Sequence, residues 1–112
     1  MILIERETLD LAMEALKEKF ALPDNVVIHK DDGAYGNFDA LVKIMNIDFL
    51  CKIKGNITAT NINTIVNRLQ KYMATEKRPV LLVAKYINPN MFDKLVELGL
   101  NILDCAGNCY IR

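Results

Sequence analysis

Three charged side chains near the middle of the chain have the types and spacing to do chemistry. Asp39 stands thirteen residues before Lys52, and Lys52 and Lys54 are two apart in "DFLCKIKGN", residues 48–56. Strand alternation puts the two lysines on one face. An acid-x-lysine pair at such a place, with a second acid on a neighbouring strand, holds magnesium and activates water. The hard cation takes oxygen ligands, and the lysine stabilises charge at a phosphate. Here a lysine, Lys52, occupies the acid's place. Its charge repels the cation that the missing carboxylate would hold. The set Asp39, Lys52 and Lys54 therefore points away from catalysis. It fits either an ion-paired, solvated sheet face or a surface that contacts phosphate or a partner. Lysines without interleaved aromatics support phosphate contact but not base readout.

A second stretch, "DCAGN" at residues 104–108, reads first as a tight turn between strands. Gly107 tolerates positive φ, and Asp104 and Asn108 cap such turns with side-chain hydrogen bonds. The competing reading makes Asp104 and Asn108 binding residues at a strand end, where α/β folds place their sites. Tyr35, in "DGAYGNFD", is a weaker candidate for stacking beside that region and reads more naturally as a packing lid. Cys105, Cys109 and His29 do not make a metal site, because C-x3-C lacks a fourth ligand and structural zinc takes four. The three cysteines, Cys51 included, read as buried or half-buried thiols of a reducing cytoplasm. His29 reads as a strand residue, and the chain has no serine for a hydrolytic triad.

The elements that must position these residues follow from periodicity. Leu9, Ala12, Met13, Leu16 and Phe20 recur at helical spacing over Glu5–Phe20, with Thr8 as the first-turn cap and "LPD" at 22–24 as the stop. "NVVIHK" is a short strand, and "DDGAYGN" at 31–37 is a turn. "FDALVKIM" and "DFLCKIK" form a hairpin about Asn46 and Ile47. In it Asp39, Leu41, Lys43 and Met45 share one face of the first strand, and Ala40, Val42 and Ile44 the other. On the second strand Phe49, Cys51 and Ile53 oppose Leu50, Lys52 and Lys54. With the apolar faces turned to the core, Asp39 and the three lysines gather on one side. Beyond Gly55 comes a helix on Ile62, Ile65, Val66, Leu69 and Met73, with Thr60 or Asn61 as cap. "RPVLLVAKY" is a strand covered on both faces. "NPNMFDKLVELG" is a helix with Asn88 as cap, Pro89 in its first turn and Gly99 at its end. "LNILDCAGNCYIR" is two strands about a turn at Ala106 and Gly107.

Length and composition fit one globular domain over residues 1–112, with 52% hydrophobic residues, five glycines and three prolines. Fourteen basic residues balance fourteen acidic ones, so no strong overall field draws the chain to nucleic acid or an anionic membrane. No apolar run reaches membrane-span length, and Glu5 and Glu7 come too early for a secretory signal. The expected location is the cytoplasm. The last strand looks unfinished at Arg112, which suggests a fragment of a longer protein.

The expected order, α-β-β-β-α-β-α-β-β, is that of an α/β fold with a mixed β-sheet flanked by helices. Its αβββαβ core is that of the restriction-endonuclease-like fold. Residues 80–111, "VLLVAKYINPNMFDKLVELGLNILDCAGNCYI", add a tyrosine and an "NP" helix start after a hydrophobic strand, then "LGLNILD", then the turn D-x-A-G-N-x-Y. In these features the chain resembles the AbiEi-like antitoxin and transcriptional-regulator family of bacterial type IV toxin–antitoxin (abortive infection) systems. The likeness continues more loosely through "FLCKIKGNIT" and covers residues 38–112. It implies a nuclease-like domain that serves regulation, a winged-helix DNA-binding domain elsewhere in the protein, and a nucleotidyltransferase-like toxin as partner. The resemblance touches Asp39, Lys54, Asp104, Gly107, Asn108 and Tyr110, and Lys52 departs from its usual acid. The binding surface expected from these readings comprises Lys43, Lys52, Lys54, Asp104 and Asn108, with no metal and no cofactor. Two alternatives stay open. One is a metal-dependent nuclease, with magnesium as its cofactor, that uses Asp39 and Lys54 with an acid from elsewhere, such as Asp48 or Asp104. The other is a homodimerisation module that uses a sheet edge.

Overall fold

A computed structural model describes residues 3–20, 27–30 and 38–111, with the backbone alone for residues 3, 20 and 27–30. Its elements run α1 (Leu3–Phe20), β1 (Val27–Lys30), β2 (Ala40–Ile44), β3 (Ile47–Ile57), α2 (Ile62–Met73), β4 (Val80–Ile87), α3 (Pro89–Glu97), β5 (Asn101–Asp104) and β6 (Cys109–Tyr110). The order is the expected one. The strands form a single mixed sheet in the order β1-β2-β3-β4-β5-β6. β3, β4 and β5 are parallel, and β2 and β6 run antiparallel to their neighbours.

Each face of the sheet has its own apolar layer. Leu9, Ala12, Met13 and Leu16 of α1 pack on Ala40, Val42, Phe49, Cys51, Ile53, Leu81 and Val83. On the other face Ile62, Ile65, Val66 and Leu69 of α2, with Leu95 of α3, cover Leu50, Val80, Leu82 and Ile102. The continuous apolar run of β4 is thus explained by helices on both sides. No described helix is long and apolar enough to cross a membrane.

Two local expectations are corrected. Thr8 does not cap α1. The helix begins at Leu3, and Thr8 lies inside it, 5% exposed, where its carbonyl accepts from Cys105 Sγ at 3.4 Å. An N-cap preference in the sequence loses here to packing that buries Thr8 at the start of the helix's core-facing side, while Ile4, Arg6 and Glu7 before it stay exposed. The hairpin turns on Met45 and Asn46 instead of Asn46 and Ile47, because Ile44 pairs with Ile47. Both turn residues have positive φ, 49° and 68°, as in two-residue hairpins with primed turns. Asn46 accepts that conformation readily, but Met45 does not, and its side chain is 73% exposed, so little packing compensates. Met45→Asn is expected to raise the unfolding free energy in urea by about 0.5–1 kcal/mol. An unchanged midpoint would show that the turn holds no such strain.

The later elements match their signals. Asn88 Oδ1 accepts from Asn90 N at 2.9 Å at the start of α3. Gly99, at φ 80°, ends that helix, with Gly99 N donating to Val96 O and Leu100 N to Leu95 O. Asn61 stands at the N-cap of α2 but turns its side chain backwards. Its Oδ1 accepts from Thr58 N and its Nδ2 donates to Asn56 O, which fastens the β3–α2 loop.

Candidate anion-binding site between α2 and the sheet

Asp39 lies just before β2, at the end of its ladder with β3. Its N–H donates to Cys51 O at 2.8 Å, and its Oδ2 accepts the Ile53 N–H at 2.8 Å. Beyond Ala40 the carboxylate thus serves β3 as a further ladder acceptor. Asp39 Oδ1 faces Lys52 Nζ at 3.7 Å, and the two side chains are only 17% and 21% exposed. One oxygen accepts a backbone N–H and the other faces the Lys52 ammonium, whose charge opposes a magnesium ion at this carboxylate.

Lys52 and Lys54 point to the face that α2 covers. A narrow cleft of about 40 Å³ opens there, lined by Lys52, Lys54, Thr64, Arg68, Tyr72 and the apolar Ile65 and Leu69. The face is therefore not a plain solvated one, because both lysines are half-buried beneath a helix. Thr64, Arg68 and Tyr72 follow one another at four-residue spacing, a single row on α2 beside its buried stripe. Tyr72 is steadied by an edge-to-face contact with Phe38, with centroids 5.8 Å apart and planes at 71°.

Among the described residues, no acid lines the cleft. Among the described residues, neither Lys54 nor Arg68 forms an ion pair. Three cations beside a hydroxyl and a phenol suit an anion, and the partial burial of Lys52 and Lys54, though not of the exposed Arg68, strengthens their field over its value in water. The volume is close to the share of one or two waters in the liquid, about 30 Å³ each. Such a space admits phosphate oxygens at its mouth and does not enclose a nucleotide.

The remaining predicted residues lie elsewhere. Lys43 pairs across the hairpin with Asp48, at 3.9 Å between Nζ and Oδ1, and does not line the cleft. Asp104 is in register with Ala84, which is in register with Lys54, so it sits two strands away, roughly 10 Å. Its carboxylate is fully buried and accepts from Ala106 N, Asn108 N and Asn108 Nδ2 at 2.9, 3.0 and 3.1 Å. Gly107, at φ 85°, completes that turn, and its carbonyl accepts from Lys19 Nζ at 3.2 Å. The turn reading of "DCAGN" is therefore what the structure shows. Asn108 is exposed and lines a separate cleft of about 340 Å³ with Lys19, Asp93 and Cys109. Tyr110 is partly exposed on β6.

Burial pushes all three thiols up from their ordinary value. The nearby Asp39 charge adds to this at Cys51, and the Asp104 charge adds at Cys105 and Cys109. They stay protonated near neutral pH and are poor nucleophiles and poor metal ligands. The His29 side chain, Tyr35 and the segments 22–24 and 31–37 lie outside the described residues.

Reading the sequence alone missed Thr64, Arg68 and Tyr72. Their four-residue spacing was visible, but only the packing of α2 across β3 says which lysines they meet. No protein-family model, no curated protein and no solved structure matches the chain.

Proposed function

We propose that the chain is a catalytically silent, restriction-endonuclease-like domain that holds the phosphate backbone of DNA at Lys52, Lys54 and Arg68. The observation that carries this reading is that Lys52, Lys54 and Arg68 line one cleft, in which Lys52 Nζ also lies 3.7 Å from Asp39 Oδ1. Strand order and direction support such a core: β2 runs antiparallel inside a sheet whose β1, β3, β4 and β5 share one direction, with β6 antiparallel at the edge. The resemblance at residues 80–111 extends the proposal. The domain would belong to an AbiEi-like antitoxin or transcriptional regulator and work with a winged helix and a nucleotidyltransferase-like toxin. Co-purification with a toxin encoded beside it tests that extension.

The site itself is tested by titrating fluorescent DNA with the native chain and with Lys54→Ala, Arg68→Ala and Lys54→Arg. Each alanine variant is expected to bind about three- to tenfold more weakly, and Lys54→Arg to bind nearly as well. Unchanged affinity in both alanine variants contradicts the proposal. The same samples with magnesium or manganese are expected to leave DNA intact. Cleavage that Asp39→Ala abolishes would establish the alternative, a metal-dependent nuclease.

A further inference from the structure

At the carboxyl-terminal ends of β3 and β4 lies another cleft, of about 320 Å³, whose lining includes Asn56, Thr58, Tyr86, Asn88, Asn90 and Met91. Asn56 and Tyr86 are cross-strand partners, which places an aromatic ring beside a carboxamide. Tyr86 is 52% exposed, although the first five residues of its strand are buried. Asn88 is engaged in capping α3. The side-chain amides of Asn56 and Asn90 make no hydrogen bond among the described residues. Among the described residues, none that lines this cleft is charged.

An exposed aromatic face, uncharged donors and acceptors, and a volume within the roughly 300–1,000 Å³ of small-ligand sites suit a flat heterocycle with polar edges. Bases stack on tyrosine whatever their sequence, and a carboxamide can serve both donor and acceptor positions of a base edge. The neighbouring site says what such a base would be attached to. Lys54 precedes Asn56 by two residues on β3, a separation of about 6.6 Å along an extended strand. A backbone phosphate at Lys54 and Arg68 would therefore bring an adjoining base to Tyr86. The aromatic that the lysine stretch lacks in sequence is supplied by the next strand.

We infer that the domain binds single-stranded DNA, with phosphate at Lys54 and Arg68 and one unstacked base on Tyr86 between the amides of Asn56 and Asn90. This rests on the phosphate reading above and narrows its substrate. In an intact duplex each base is stacked and paired, so its face is closed to Tyr86.

The test compares three labelled probes of equal length: a single strand, the same strand made abasic, and its duplex. The native chain is expected to bind the single strand about tenfold more tightly than the abasic strand, with the duplex also weaker. Tyr86→Ala should lose most of that tenfold on the single strand and nothing on the abasic one, and Tyr86→Phe should retain it. Tyr86 is exposed, so its alanine variant should fold, which circular dichroism checks. Equal binding of the single and abasic strands, no loss in Tyr86→Ala, or no binding of the single strand overturns the inference. If Lys54→Ala still weakens every probe that the native chain binds after such a result, the phosphate reading stands, and if the native chain binds none of the three, both readings fail. If Lys54→Ala leaves all three unchanged while Tyr86→Ala weakens the single strand, the phosphate reading is what fails.

Discussion

Asp104→Ala is expected to lower the unfolding free energy by about 3 kcal/mol, the largest stability effect of any change at the charged positions considered. The carboxylate is fully buried and accepts three hydrogen bonds, two from backbone and one from Asn108. Charge-assisted bonds of this kind contribute roughly 1.5–3 kcal/mol each, and removing the acceptor leaves the Ala106 and Asn108 N–H groups without it. Asp104→Asn should cost less. One carboxamide oxygen still serves the two backbone donors, but its NH2 group then meets Asn108 Nδ2, donor against donor. Urea unfolding measures both. A loss below about 1 kcal/mol for Asp104→Ala would mean that the carboxylate is not the turn's anchor, and would reopen a ligand-facing role for it.

Lys52→Glu restores the acid-x-lysine order and has the second large effect. The new carboxylate replaces an ammonium that lies 3.7 Å from Asp39 Oδ1, where both side chains are about one-fifth exposed. Attraction becomes repulsion between two acids within about 4 Å, and stability in chelator-treated buffer should fall by about 1–3 kcal/mol. Two carboxylates at one point also make a site for a hard divalent ion. Manganese or magnesium at a hundred times its dissociation constant should then return about 2.7 kcal/mol. Lys52→Gln is the control, because it loses the ion pair without gaining an acid and should show no rescue by metal. If the glutamate variant gains no more from metal than the glutamine one, residues 39 and 52 do not converge as a nuclease-like core requires.

Much of the fold was legible because its signals are local and agree with one another. The α2 stripe, the doubly covered run of β4 and the Asn88–Pro89 start of α3 each have one physical reading. The Gly99 stop is as plain, whereas "DCAGN" carried both a turn and a binding reading until its hydrogen bonds were seen. The errors came where tertiary packing overrides a local preference, as at Thr8, or where two one-residue-shifted hairpins are nearly equivalent, as at Met45 and Asn46. For the candidate site, Asp39, Lys52 and Lys54 could be placed on one face by alternation alone. Their surroundings could not. Arg68 reaches them only because α2 folds back over β3, and Tyr86 reaches Asn56 only through the register of β3 with β4. Alternation had grouped Lys43 with Lys52 and Lys54, and the strand-end position had singled out Asp104, but Lys43 turns to Asp48 and Asp104 to its own turn.

The central claim is that Lys52, Lys54 and Arg68 together hold nucleic-acid phosphate, and the salt dependence of binding measures that directly. Contact of three cations with single-stranded phosphates predicts a slope of log K against log salt of about −2, from roughly −0.7 per contact. Lys54→Ala with Arg68→Ala should flatten it to about −0.7. A native slope near zero, or one that the double variant leaves unchanged, would contradict the account.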